Sequence, residues 1–222
     1  MELIEYADRE MMAMDVAAAL ADEIHDILHQ KDRAVIAVPG GGTPAPVYDN
    51  LCGIHADWHR VDVLLTDERW VPEDDPRSNT AMLKRHLLVD QAAAAKYHPI
   101  CGDGAAEDLL PDIRKNIAPM LPIDLLLLGM GGDMHAASLF PNSPQLSAAL
   151  EQNAPILMPV SVPDQPERVT FTMSTLMGSV KRHVLISGED KKEALLNAKK
   201  LGDPQKAPIA PLLSEAIVHW AP

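Results

Sequence analysis

The sequence predicts an α/β fold: a mainly parallel Rossmann-like sheet with helices on both faces, forming a single domain over residues 1–222. Three observations lead there. Short apolar runs alternate along the chain with segments whose apolar residues recur at helical spacing. The central run, Asp124–Leu128, has no polar break after its first residue, as a strand covered on both faces requires. Four such runs close on polar clusters: Gly40–Thr43, Asp67–Arg69, Asp133–His135 and Gly188–Lys191. In open α/β sheets ligands bind outside the carboxyl ends of the strands, so the four clusters are expected along one edge, in one site. A chain of 222 residues is long for one domain but short for two, and 47% apolar residues is ample for a core.

Each element has its own warrant. From Asp8 to Gln30, Met12, Val16, Leu20, Ile24, Ile27 and Leu28 fall three and four apart, which predicts a long amphipathic helix. His25 and His29, like His55 and His59, have the i, i+4 spacing of metal pairs, but neither pair has an HExxH glutamate or a third ligand, so both are read as surface histidines. Ala34–Val38 is a strand that ends at Pro39-Gly-Gly-Gly-Thr-Pro44, with a helix over Pro46–Leu51. Glycines let a backbone approach an anion closely, and N–H groups at a helix start are partly positive, so the guest expected at Gly40, Gly41, Gly42 and Thr43 is a phosphate. The loop is neither a Walker loop nor GxGxxG, which argues against ATP or a dinucleotide.

Val61–Thr66 is the next strand and terminates in the charged stretch Asp67-Glu68-Arg69. Ser78 fits as the N-cap of a helix running to Leu88. A short extended piece at Tyr97–Ile100 and a helix over Ala105–Ala118 carry no visible chemistry. After the central strand and the turn Gly129-Met-Gly-Gly132 come Asp133 and His135, then Ala136–Phe140, which reads as a helical turn or two before Pro141. Strands are expected at Ile156–Val160, Val169–Met173, His183–Ser187 and Ala216–Trp220, with a helix opening at Asp190.

Charge excludes some partners. With 19 Lys+Arg against 32 Asp+Glu, a net −13 opposes nucleic acid or an anionic membrane surface as partner. No stretch nears about 18 consecutive apolar residues, so no membrane span is expected. Cys52 and Cys101 lie far apart, and the first residues lack the basic and apolar regions of a signal peptide, which points to a reduced cytoplasmic protein. A monomer or weak homo-oligomer is expected.

Taken together, VPGGGTP at 38–44, DERWVPEDDPRSN at 67–79, GMGGDMHAASLFP at 129–141, PERVTFTMSTL at 166–176 and SGEDKKEAL at 187–195 resemble the 6-phosphogluconolactonase family, in order and over most of the chain. The resemblance implies hydrolysis of a phosphorylated sugar lactone, 6-phospho-D-glucono-1,5-lactone, in the oxidative pentose phosphate pathway. It implies His135 as acid/base with Asp133 to orient it, and Arg168 and Lys191 as phosphate cations. Asp67 and Arg69 join Gly40, Gly41, Gly42 and Thr43 in the substrate-binding set. No cofactor and no metal are required, since lactones are already reactive esters. Lys192, with no matching family position, is read as a surface salt bridge.

A sister group, glucosamine-6-phosphate deaminase, typically has DEY where this chain has Asp67-Glu68-Arg69, and FNEP where it has Ser138–Pro141; on both counts the chain sides with the lactonases. A deaminase or isomerase is the alternative. A non-catalytic sugar-phosphate sensor is a further one, but the chain has no spare length or basic patch for a DNA-binding segment. One departure stands out: the family usually reads GMGxDGH, and Met134 occupies the last glycine's place. The expectation here is a negative φ at Met134, the family glycine serving only to leave room.

Overall fold

Asp8 starts the first helix, α1 (Arg9–Gln30), by accepting a hydrogen bond from the Met11 N–H at 2.8 Å, and the stripe Met12, Val16, Leu20, Ile24 and Leu28 is buried. The computed structural model describes residues 1–222. Strand β1 (Glu2–Glu5) precedes α1; then follow β2 (Ala34–Val38), α2 (Ala45–Leu51), β3 (Val61–Leu65), β4 (Asp67–Arg69), α3 (Asn79–His86) and β5 (Lys96–Tyr97). The second half runs α4 (Ala106–Ile117), β6 (Leu125–Gly129), α5 (Leu146–Ala149), β7 (Leu157–Val160), β8 (Arg168–Phe171) and α6 (Met173–Met177). It ends with β9 (Lys181–Ser187), α7 (Glu189–Leu201), α8 (Ile209–Leu212) and β10 (Ile217–Ala221).

Seven strands form one parallel sheet in the order β1-β10-β9-β6-β2-β3-β5, with helices packed around it. Every residue of β2 and β3 is buried, which is why β2 reads as an unbroken apolar run and β3 as one interrupted only by Asp62, itself paired with Arg33 and His98. Asp124, just before β6, is 3% exposed and accepts from the Val35 N–H at 2.9 Å and the Lys31 ammonium at 2.5 Å, tying the start of β6 to the start of β2. From β2 the chain builds outward through β3 to β5, then crosses to the other side of β2 and builds through β6 and β9 to β10. The strand order therefore reverses between β2 and β6, which is the crevice where such sheets bind ligands.

A polar chain with two buried histidines at its centre and half-buried ends runs from α1 across β9 and β10 to the residue after β1. Glu23 Oε2 meets His183 Nε2 at 3.0 Å, His183 Nδ1 meets His219 Nε2 at 2.9 Å, and His219 Nδ1 meets the Tyr6 hydroxyl at 2.8 Å.

Three expectations need correction. Asp67-Glu68-Arg69 is a strand: β3 stops at Leu65, and the next residues pair antiparallel with β8, itself paired with β7, in a separate three-stranded sheet. Ala136–Phe140 is not helical, because Met134 and Ala137 have φ of 67° and 49° and a tight Ala136–Leu139 bridge replaces the turn. The third concerns Met134 itself, whose φ is positive and not negative.

Candidate active site

The glycine loop after β2, the end of β6, the β4–β8 pair and the start of α7 surround one cavity of about 260 Å³ at the strand-order reversal. The sequence-predicted residues Gly40, Gly41, Gly42, Thr43, Asp67, Arg69, His135, Arg168 and Lys191 all line it; Asp133 stands just outside, against His135. Three cations, Arg69, Arg168 and Lys191, face one lining carboxylate, Asp67, so a chain of net charge −13 has built a locally cationic pocket.

The loop's glycines serve different ends. Gly41 has φ +98°, a conformation that side chains disfavour. A Cβ on Gly42, which lines the cavity, would meet nothing within 4 Å, so open space adjoins the loop there. None of the four backbone N–H groups from Gly40 to Thr43 is taken up by a protein acceptor, and they remain available to an anion.

His135 Nδ1 lies 2.5 Å from Asp133 Oδ1. An ionised carboxylate only accepts, so Nδ1 carries the proton and Nε2 is the bare, basic nitrogen. The hydrogen bond from His135 holds the Asp133 carboxyl below its ordinary value, against the opposing effect of desolvation. Gly131 makes the pair possible: a Cβ there would lie 2.2 Å from the imidazole Nδ1 and Cε1 and 2.5 Å from Asp133 Oδ1. The Phe140 ring backs the imidazole at 4.3 Å between centroids, and the Arg168 guanidinium lies 5.3 Å over the same ring.

Asp67 is 6% exposed; its Oδ2 accepts from the Ser138 hydroxyl at 2.5 Å, and Arg168 Nη1 stands 3.7 Å from the same oxygen. In the β4–β8 ladder Arg69 is the register partner of Arg168, so the two side chains leave the same face of adjacent strands, Arg69 donating from Nη1 to the Arg77 carbonyl and Arg168 from Nη2 to Gln165. Burial and the charge of Arg69 both pull Arg168 below its usual value, and Asp67 opposes them. The Nε atoms of Arg69 and Arg168 are buried and donate to nothing in the protein. An anion in the cavity would relieve both conditions. Lys191 reaches the cavity from the first turn of α7, whereas Lys192 turns away to Glu5 at 2.8 Å and to the Trp220 ring at 3.8 Å, the surface pairing expected of it.

The model for glucosamine-6-phosphate isomerases/6-phosphogluconolactonase matches residues 7–220. The chain belongs to that family. A 6-phosphogluconolactonase of Pseudomonas aeruginosa is 36% identical over 95% of this chain and 90% of its own length, and one of Rhizobium meliloti is 36% identical over 96% and 94%. The crystal structure of a 6-phosphogluconolactonase from Shewanella baltica superposes with a TM-score of 0.95 at 26% identity, covering 100% of this chain and 97% of that one. The family resemblance carried by the motifs is thus borne out, as is the α/β fold with its parallel sheet.

Residues that sequence reasoning left without a role also line or brace this cavity. Asn79 lines the cavity, Phe140 backs His135, and Ser138 and Thr170 hold Asp67 and the turn after His135. All four lie inside the motifs at 67–79, 129–141 and 166–176, but a motif match does not say which of its members face inward.

Proposed function

We propose that this protein hydrolyses 6-phospho-D-glucono-1,5-lactone to 6-phospho-D-gluconate, a step of the oxidative pentose phosphate pathway. The observation that carries the reading is the Asp133–His135 pair standing at a cavity that also receives Arg168, Lys191 and the glycine loop. The relatives named above, at 36% identity over nearly the whole chain, support the lactonase among the family's activities.

The phosphate is bound by the N–H groups of Gly40–Thr43 with Lys191 and Arg168, each charged hydrogen bond contributing about 1.5–3 kcal/mol. His135 Nε2 takes a proton from water as its oxygen attacks the lactone carbonyl, and Asp133 stabilises the imidazolium through Nδ1–H. The tetrahedral oxyanion is held by the cationic wall, with Arg69 nearest in role. As the bond from C1 to the ring oxygen breaks, the imidazolium returns its proton to that oxygen, and the new acid ionises. A general acid/base of this kind contributes about 10²- to 10⁴-fold in rate. The step uses no metal and no cofactor. Two cysteines, both free, support a reduced cytoplasmic setting.

The test is hydrolysis of 6-phosphogluconolactone measured against its spontaneous rate. Acceleration that persists in a metal chelator is expected, with no ammonia released from glucosamine 6-phosphate. A purified, folded protein that leaves the spontaneous rate unchanged would refute the reading.

A further inference from the structure

Asn79 has no part in the chemistry above, yet it touches two elements of the site. It is 3% exposed, and its Nδ2 donates to the Asp67 carbonyl at 2.9 Å. Its side chain also fills the place where a Cβ on Gly40 would stand, with Oδ1 at 2.0 Å and Cγ at 2.1 Å from that position. Gly40 does not have the left-handed φ of its neighbour Gly41. Glycine at 40 is therefore demanded by the amide lying against it, not by the turn.

Asn79 is in turn fixed from behind. It is the first residue of α3, and its N–H donates to Glu68 Oε1 at 2.8 Å. Glu68 is 0% exposed and has no cationic partner. It accepts instead from the N–H groups of Arg69 at 2.7 Å and Thr80 at 2.6 Å, and from the Thr80 hydroxyl at 2.8 Å. A carboxylate on the first N–H groups of a helix meets the positive end of its dipole, so β4 and the start of α3 are locked together without a salt bridge.

We propose that Asn79 is a positioning residue for the glycine loop: wedged between Gly40 and the Asp67 carbonyl, and anchored by Glu68, it sets the height of the Gly40–Thr43 N–H groups relative to Arg168 and Lys191. The inference rests on the reading of that loop as the phosphate site. A phosphate gripped by both the loop and the cations requires the two at a fixed separation, and a shift of a few tenths of an ångström weakens every contact at once.

Steady-state kinetics with 6-phosphogluconolactone and thermal protection by inorganic phosphate test this together. Asn79→Ala should raise KM about tenfold with kcat within about threefold, and should lose most of the protection by phosphate. Gly40→Ala should do at least as much, because its methyl displaces the amide. The double variant Asn79→Ala/Gly40→Ala should be no worse than Gly40→Ala alone, since the methyl then occupies the space the amide left; this coupling is what a merely structural role would not produce. Multiplying effects, or an Asn79→Ala variant with unchanged KM and unchanged protection, would overturn the inference. If Gly40→Ala fails to fold, Glu68→Gln decides: it sets an amide against N–H donors, and a raised KM at retained kcat is expected, an unchanged KM refuting. Wild-type protein that is protected by phosphate but does not hydrolyse the lactone would remove the proposed function and leave this inference standing.

Discussion

Met134 has φ +67°, the left-handed region, where the family's pattern has glycine. The cost for a side chain there is about 1–2 kcal/mol. Met134→Gly alone would confound this strain with lost packing, because the methionine is half-buried and its Sδ lies 3.8 Å from Asn197 Nδ2. The informative comparison is Met134→Gly against Met134→Ala, since both lose the same contacts. At positive φ the glycine variant gains about 1–2 kcal/mol over alanine and gives back about 0.4–1 kcal/mol to its wider unfolded ensemble. The net is about 1 kcal/mol in favour of glycine, which for a chain of this size is about 2–4 °C in Tm. At negative φ the sign reverses. Calorimetric melts of the two variants suffice, and an alanine variant melting above the glycine variant would refute the left-handed assignment and the strain argued from it.

The remaining predictions concern the site and one buried histidine. His135→Ala should lower kcat by about 10²-fold or more with KM little changed, because a general base acts in the transition state; wild-type kcat in that variant would remove His135 from the mechanism. Asp133→Asn should lower kcat by less, through loss of the charge that favours the imidazolium; an unchanged kcat would leave Asp133 without its orienting role. Lys191→Ala and Arg168→Ala should each raise KM, by about 10- to 150-fold for a lost charged hydrogen bond. Only Arg168→Ala should also lower Tm, since it leaves the buried Asp67 carboxylate without its cation at 3.7 Å. Equal Tm losses in the two variants would contradict that placement. Burial, reinforced by the neighbouring His183 and opposed by Glu23, depresses His219 from 6.5 to about 4. The unfolded chain therefore binds this proton first. Stability from the neutral ring is complete above about pH 6.5 and declines as pH falls toward 4, by on the order of 3 kcal/mol at about 1.36 kcal/mol per pH unit. Tm measured over that window should fall less steeply in His219→Gln than in the wild type; parallel slopes would exclude His219 as the titrating group.

The large sheet was legible because its inner strands are buried on both faces, so β2 and β6 write themselves as apolar runs and β3 as one with a single charged residue, Asp62. Their carboxyl ends were legible for the same reason: a run that stops at glycine and charge marks the edge. The small sheet was legible only in part: the runs at 156–160 and 169–173 mark β7 and β8, but nothing marks β4 or the pairing that sets the three apart from the large sheet. Residues 67–69 form one strand of only three residues, whose partner lies about a hundred positions away at 168–170, and so short a strand has no period to detect. The turn after His135 escaped because apolar spacing over Ala136–Phe140 cannot report φ, and two positive values break the helix that the spacing suggests. Asn79 escaped for another reason: its role depends on the missing Cβ of a residue 39 positions earlier, and only coordinates bring those two together.

The register that sets Arg69 opposite Arg168 has a consequence for selectivity. Like charges on partner residues of a ladder push their strands apart; Asp67, 3.7 Å from Arg168, counters this, yet the buried Nε of each guanidinium still has no acceptor in the protein. An arriving anion then gains twice, once from the contacts it makes and once from a repulsion it ends, so that binding adds to the cohesion of the small sheet. A neutral sugar of the same shape would gain neither. Discrimination between phosphorylated and plain sugars is thus written partly into the discomfort of the empty site, and salt, by screening that discomfort, would dull the distinction before it altered any contact in the filled one.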